Sequence, residues 1–177
     1  MSDLSIAFKE LLGALDHLEI PFLIGGSADG DIDVVADIAP KIAAQFCTAL
    51  GPNFYSDAEH AELAIRGGRA FNVIHLKSAY KFDIFPAAAD QFVRSQLARR
   101  RYTTMTVPGL EYVEFPVASA EDTILAKLVW FRKGGEVSDH DILGVIRVQA
   151  GRLDLEYLHE WAGELGVIDL LRRGLGT

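Results

Sequence analysis

Three aspartates stand in segments that otherwise have the apolar composition of buried strands. Asp31 and Asp33 lie in the otherwise apolar segment Asp31–Ala36, and Asp83 lies in the segment Lys81–Phe85. Aspartate is disfavoured in strands. Alternation along a strand puts Asp31 and Asp33 on one face, roughly 6–7 Å apart. Because such carboxylates repel each other unless a cation or hydrogen-bond donors compensate, the pattern predicts a cation site.

The second run has the same pattern. Phe82 and Ile84 face one side of the predicted strand, whereas Asp83 faces the other with Lys81 and Phe85. If the two acidic strands lie side by side, three carboxylates can hold two metal ions about 3.5–4 Å apart. Oxygen ligands of this kind suit Mg²⁺ together with substrate phosphates. The candidate metal ligands and catalytic residues are therefore Asp31, Asp33 and Asp83.

A small-residue triplet, Gly25-Gly26-Ser27, directly follows the apolar run Phe22–Ile24. Glycines let a phosphate approach backbone amides, and a serine hydroxyl adds a donor. By itself such a triplet is usually a turn, and an Asp-x-Asp pair is often a surface feature. In this order, with a later strand aspartate, the two features together predict nucleotide binding at Gly25, Gly26 and Ser27.

Both helices and strands are needed to position these residues. The apolar spacing predicts helices over 3–18, 40–50 and 90–100. Strands are predicted at 22–24, 31–36, 61–65, 70–76, 81–85, 102–107 and 110–115, with a hairpin at Gly67-Gly68 between the third and fourth. The pattern indicates an α+β fold with a mixed sheet flanked by helices.

From Ser119 onward the pattern is helical. Ser119 with Asp122 is close to a capping box, and further helices are predicted over 138–150, 154–165 and 167–173. Trp130 and Trp161 fall on apolar helical faces and are predicted to be core residues. The chain thus divides into an α/β core, 1–116, and a helical C-terminal region packed on it, 117–177.

These motifs resemble the polymerase-beta-type nucleotidyltransferase superfamily. The similar features are the strand with Gly25-Gly26-Ser27, Asp31-Ile32-Asp33 and Lys81–Phe85. Ser119–Leu128 and Asp139–Leu143 are similar to helical motifs of its small bacterial branch, which is grouped with abortive-infection toxin nucleotidyltransferases. The resemblance covers residues 20 to 148, and it implies the nucleotidyltransferase fold.

The resemblance also implies roles for individual residues. Gly26 and Ser27 would contact the nucleotide phosphates, and Asp83 would be a metal ligand or the base for an incoming hydroxyl. Lys127 would reach toward the phosphates, with Asp141 near it as an accessory residue, although a lysine on an amphipathic helix is commonly just solvated. The implied substrates are an NTP and an acceptor that is RNA, protein or a small molecule, with two Mg²⁺ ions.

The sequence departs from the family at one point. Family members usually have a helix between the Gly-Ser turn and the acidic strand, but here only Ala28-Asp29-Gly30 intervenes. Three residues span about 10 Å and cannot form a helix. Two functions therefore stay open: an Mg²⁺-dependent enzyme, or a catalytically degenerate binding or regulatory protein with a protein partner, such as a toxin–antitoxin component.

Composition narrows the possible partners and the expected cellular location of the protein. The chain has 177 residues, half of them hydrophobic, and a formal net charge of −8, which weighs against non-specific binding to nucleic acid or anionic membrane. No apolar run is long enough to cross a bilayer, and Met1–Glu10 lacks the features of a signal peptide. The single cysteine, Cys47, is predicted to be a small core residue in a helix. A cytoplasmic location is expected.

Two further groups of residues have a structural and a functional interpretation. His75 lies in a predicted strand, where a structural role is the commoner one, and the five histidines show no metal-ligand spacing. Arg94 and Arg99-Arg100-Arg101 form a basic cluster that could hold a phosphate or an RNA acceptor, although a solvated helix end is the commoner explanation.

Overall fold

The computed structural model describes residues 3–25, 32–87, 90–107, 110–135, 139–149 and 151–176. The chain forms two compact units, Met1–Val117 and Ala118–Thr177. The first unit combines a mixed sheet with helices, which is the α+β architecture that the sequence predicts. Within the described residues, no helix is long and apolar enough to cross a membrane.

The sheet of the first unit has seven strands among the described residues, in the order β3-β4-β5-β2-β1-β7-β6. The pairs β2–β5 and β1–β7 are parallel, and the other neighbours are antiparallel. The two acidic strands, β2 and β5, are therefore central neighbours. The strands are β1 (Phe22–Gly25), β2 (Ile32–Ala36), β3 (Phe54–Tyr55), β4 (Phe71–His75), β5 (Lys81–Pro86), β6 (Arg101–Val107) and β7 (Leu110–Val117).

The core of this unit lies on one face of the sheet. Phe8 of α1 packs with its ring centroid 6.3 Å from that of Phe82 and 5.1 Å from that of Phe115. Phe46 of α2 meets Phe71 edge to face at 6.3 Å. The helices of the unit are α1 (Asp3–His17), α2 (Ala43–Leu50, preceded by the 3₁₀ turn Pro40–Ile42), α3 (Ala58–Arg66) and α4 (Gln91–Arg99).

The predicted strand at 61–65 is wrong, and with it the hairpin at Gly67-Gly68, because this segment lies in helix α3. Five residues of alternating polarity fit a strand and a helix face equally well. Asp57 decides for the helix, since its side chain accepts a hydrogen bond of 2.9 Å from the His60 N–H. Ala61, Ala64 and Ile65 are buried at helical spacing. Gly68 follows with φ +61°, a conformation that glycine adopts readily.

Strand β3 was not predicted, because it is only two residues long. Its Phe54 packs edge to face on His75 at 5.2 Å, and the His75 side chain is 2% exposed. His75 Nδ1 lies 2.7 Å from Ser78 Oγ, while Nε2 lies 3.7 Å from a carboxylate oxygen of Glu10 on α1. The structural interpretation of His75 is confirmed. Cys47 lies half-buried on α2, packed against the core, as predicted.

The described part of the second unit is helical. Ser119 caps its first helix by accepting a hydrogen bond of 3.1 Å from the Asp122 N–H, and its own hydroxyl donates to Asp122 Oδ2 at 2.8 Å. Tyr157 donates to the other oxygen of this fully buried carboxylate at 2.6 Å. The helices are α5 (Ala120–Arg132), α6 (Asp139–Val148), α7 (Leu155–Glu164) and α8 (Ile168–Leu175).

Trp130 is not a core residue, contrary to the prediction. It is 60% exposed, whereas Ile124, Leu125 and Leu128 of the same helix are buried. Trp130 lies two positions beyond Leu128, about 200° around the helix, so it leaves the buried stripe. Trp161 of α7 is half-buried.

Candidate functional site

Asp33 and Asp83 are direct register partners on the parallel strands β2 and β5. Side chains of register neighbours in a sheet point to the same face. On that face Asp33 and Asp83 are half-buried, whereas the residues that follow them, Val34 and Ile84, are fully buried on the opposite face. Two carboxylates thus lie side by side on the partly open face of the sheet.

The same register continues into both flanking strands. Gly25 at the end of β1 is opposite Asp33, and Asn72 of β4 is opposite Asp83. The four residues Gly25, Asp33, Asp83 and Asn72, which we call the carboxylate row, therefore cross four adjacent strands on one face. A Cβ placed on Gly25 would lie 4.0 Å from the Asp33 Cβ and would meet no nearer atom of the described residues. The glycine therefore adds no side chain beside Asp33.

The two oxygens of Asp83 have different surroundings. Oδ2 lies 3.3 Å from the Lys81 Nζ, two residues earlier on the same strand, and the Asp83 side chain is 20% exposed. Oδ1 is buried and has no hydrogen-bond partner among the residues that the structure describes. A buried carboxylate oxygen without a partner costs free energy, on the order of 1–3 kcal/mol for a neutral polar group and more for a charged one. This oxygen is available to a ligand that lies on the row.

Several predicted site residues lie outside the described residues, namely Gly26, Ser27 and Asp31. The described part of β1 ends at Gly25, and that of β2 begins at Ile32. Within the described part of the chain, no group of three histidine, cysteine, aspartate or glutamate side chains is placed to hold a metal ion. The described part of the predicted site is Gly25, Asp33 and Asp83.

The two predicted residues of the second unit lie on its first two helices. Lys127 is half-buried on α5 and has no ion-pair partner among the described residues. Asp141 lies on α6, and its side chain is outside the described part of the structure. Their contribution to the nucleotide site stays a prediction.

The basic cluster at the end of α4 is divided between a helix and a strand. Arg94 and Arg99 are on α4, and Arg101 opens β6. Arg100 caps the helix, because its guanidinium donates to the Leu97 carbonyl. This contact supports the interpretation of the cluster as a helix end.

The donor set of the carboxylate row fits a hard divalent cation. Asp33 and Asp83 supply carboxylate oxygens on adjacent strands, and no donor in the described part of the chain bonds to Oδ1 of Asp83. Mg²⁺ is commonly held by one or two carboxylates, with water and phosphate oxygens completing its shell. The residues present are thus of the right type and register for Mg²⁺.

Sequence reasoning missed Asn72 as a member of this row. It is exposed, between Phe71 and Val73, which are 2% and 0% exposed on the opposite face. The signal that could have identified it is a polar amide in an alternating apolar strand, where asparagine is disfavoured. The missing information was the pairing of β4 with β5.

No family model matches this chain, and no curated protein matches it. Among solved structures it is similar to the solution structure of the antibiotic-resistance factor ANT(2'')-Ia, a protein with substrate-regulated conformation dynamics. The TM-score is 0.47 at 14% sequence identity, with 97% of this chain and 92% of that chain covered. A likeness of this size does not establish a shared activity.

Proposed function

We propose that this chain is an Mg²⁺-dependent nucleotidyltransferase that moves an NMP from an NTP to an acceptor hydroxyl and releases pyrophosphate. The observation that supports this proposal most is the register of Asp33 with Asp83 on adjacent parallel strands, with Gly25 opposite Asp33. The motifs around these residues are those on which the resemblance to polymerase-beta-type nucleotidyltransferases rests.

The proposed roles follow from the chemistry of each group. Asp31, Asp33 and Asp83 hold the cations, which when bound neutralise the triphosphate and favour in-line attack. Gly25, Gly26 and Ser27 offer backbone amides and a hydroxyl to the phosphates. Lys127 adds a positive charge near them, and Asp141 is an accessory residue.

In the transfer step, the acceptor oxygen forms a bond to the α-phosphorus while the bond from that phosphorus to the bridging oxygen of pyrophosphate breaks. The proton of the acceptor hydroxyl is lost to solvent water, because the oxygens of Asp83 are assigned to the cation and to Lys81. Pyrophosphate leaves with the electron pair of the broken bond.

The competing function is a binding or regulatory protein that keeps the fold without the chemistry, for example one component of a toxin–antitoxin pair. The observation in its favour is the short sequence Ala28-Asp29-Gly30 between Ser27 and Asp31. A helix N-terminus beside the phosphates would supply backbone amides and a favourable dipole, and three residues cannot form a helix.

Thermal unfolding with each NTP, with and without Mg²⁺, distinguishes these functions. At a free nucleotide concentration 100 times Kd, binding stabilises the folded state by about 2.7 kcal/mol, which is several degrees for a domain of this size. We expect a Mg²⁺-dependent shift in the parent and its loss in Asp33→Asn and Asp83→Asn. Asp37→Asn is the matched control, since this exposed aspartate lies just beyond the far end of β2.

Transfer itself is tested with α-³²P-labelled NTP and separate RNA, protein and small-molecule fractions as acceptors. Label that enters one fraction when the parent is incubated with Mg²⁺, but not when Asp83→Asn is used, supports the enzyme function. A parent protein that shows no shift with any NTP and co-purifies with a protein partner contradicts it in favour of the binding function.

A further inference from the structure

We propose that Asn72 belongs to the cation site, with its side-chain amide oxygen acting as a neutral ligand beside Asp83. This inference rests on the proposed function, because it assigns a further residue to the same divalent-cation site. It concerns the end of the carboxylate row that is farthest from Gly25.

The register places Asn72 where a ligand is needed. It is the antiparallel partner of Asp83, and Asp83 is the parallel partner of Asp33. Directly opposed residues of an antiparallel pair have Cβ atoms about 4.5–5.5 Å apart, close enough for two side chains to share one cation. Of the residues of β4, Asn72 is the one directly opposite Asp83.

The Asn72 side chain is free to take this role. It is exposed on the partly open face, and among the described residues it makes no hydrogen bond. Its strand neighbours Phe71 and Val73 are buried on the core face. The amide therefore does not contribute to core packing, and a hydrophobic or β-branched residue would suit the strand better.

A neutral oxygen is the chemically suitable ligand at this position. Asp33 and Asp83 place two negative charges side by side, and the proposed function adds Asp31, so a further carboxylate at position 72 would add repulsion whenever the cation is absent. The Asp83 Oδ2 is near the Lys81 ammonium, which leaves the unpartnered Oδ1 for a cation. An asparagine carbonyl is an accepted ligand of hard cations and adds no charge.

The test uses Mn²⁺ alone as the probe, without nucleotide, and follows loss of the electron paramagnetic resonance signal of free Mn²⁺. We expect Asn72→Ala to weaken Mn²⁺ binding by about tenfold, the lower end of what loss of a residue supporting a metal site costs. We expect Asn72→Asp to bind Mn²⁺ more tightly than the parent, because it replaces a neutral ligand by a charged one.

Tyr55→Asp is the matched control for charge. Tyr55 is 60% exposed at the sheet edge, and its register partner is Ile74, two residues from Asn72 on the same face. It adds the same charge as Asn72→Asp away from the row, so Mn²⁺ affinity should stay within about twofold of the parent, since exposed charges at this distance are screened. Circular dichroism establishes that each variant folds, and Asn72→Ser replaces any Asn72 variant that does not.

The outcomes separate this inference from the proposed function. If Asp83→Asn abolishes Mn²⁺ binding while Asn72→Ala and Asn72→Asp bind like the parent, Asn72 is not a ligand and the proposed function stands. If Tyr55→Asp tightens binding as much as Asn72→Asp, the effect is one of general charge and the inference is also overturned. A parent that does not bind Mn²⁺ at millimolar concentration overturns both.

Discussion

Asp33 and Asp83 lie in direct register on neighbouring parallel strands, although 50 positions separate them in the sequence. Their side chains share the partly open face of a sheet whose other face is covered by aromatic and aliphatic core residues. Two like charges placed together in this way repel each other when no cation is bound, and the Lys81 ammonium, 3.3 Å from Asp83 Oδ2, offsets part of that cost. Such a cost is typical of a functional site.

The first prediction concerns this cost. We expect Asp83→Asn to unfold, in the presence of EDTA, at the same temperature as the parent or a few degrees higher. The substitution removes a charge whose buried Oδ1 has no partner among the described residues, a cost of about 1–3 kcal/mol or more. The lost Lys81 pair is partly exposed and contributes only about 0.2–1 kcal/mol.

Differential scanning calorimetry measures this effect, with Ile84→Ala as a contrast on the same strand. Ile84 is fully buried in the core, so its truncation should cost about 2–5 kcal/mol. A loss of similar size in Asp83→Asn would show that the carboxylate stabilises the fold, and it would contradict the assignment to a functional site.

The second prediction separates binding from stability at Gly25. Among the described residues, a Cβ at this position would meet the Asp33 Cβ alone, at 4.0 Å, which is an ordinary contact. We therefore expect Gly25→Val to unfold within about 1 kcal/mol of the parent, since β-branched residues suit strands. The added methyl groups would cover the approach to Asp33, so the Mg²⁺-dependent shift with NTP should disappear.

Urea unfolding and the nucleotide shift, measured on the same Gly25→Val sample, check both parts. Gly25→Ala is the graded control, which should keep the parent stability and weaken the shift only in part. An unchanged shift in Gly25→Val would place the phosphates away from the end of β1.

The third prediction tests helix α3. Asp57 is its N-cap and accepts a hydrogen bond from the His60 N–H. Asp57→Ala should lower the free energy of unfolding by about 1 kcal/mol, whereas Asp57→Asn should keep most of it because asparagine caps helices equally well. Urea denaturation of the three proteins measures the difference. Equal stability of Asp57→Ala and the parent would contradict the capped helix.

The fourth prediction concerns pH. Burial raises the pKa of the Cys47 thiol, the Asp57 carboxylate raises it further, and a hydrogen bond with Ser56 acts in the opposite direction. The folded chain therefore keeps the thiol proton at a pH where the unfolded chain has lost it. This contribution to stability is complete below the unfolded pKa, near 8.5, and is lost as the pH rises through the folded value.

Alkylation by iodoacetamide as a function of pH checks the direction. The pH of half-maximal alkylation should be higher for the folded protein than for the protein unfolded in about 8 M urea. Asp57→Asn should lower the folded midpoint, because it removes a nearby negative charge. A folded midpoint below the unfolded one would contradict the burial of this thiol.

The sequence by itself determined which residues could perform chemistry and which segments carry them. The alternation in Lys81–Phe85 was enough to separate the core side from the acidic side, because period-two patterning is a local property. Long apolar periodicity likewise predicted α1, which runs from Asp3 to His17. These features depend only on neighbours a few positions away.

Only the tertiary structure decided which strands are neighbours. The pairing of β5 with β2 on one side and β4 on the other brings Asp83 beside Asp33 and Asn72. Tertiary packing also decided the secondary structure of one short segment and the exposure of one tryptophan. Residues 61–65 fit two periods, and the helical period is the one that buries Ala61, Ala64 and Ile65 in the core. Exposed Trp130 lies outside a buried stripe that depends on helix packing. Strand order and packing are set by contacts distant in sequence, which no local pattern encodes.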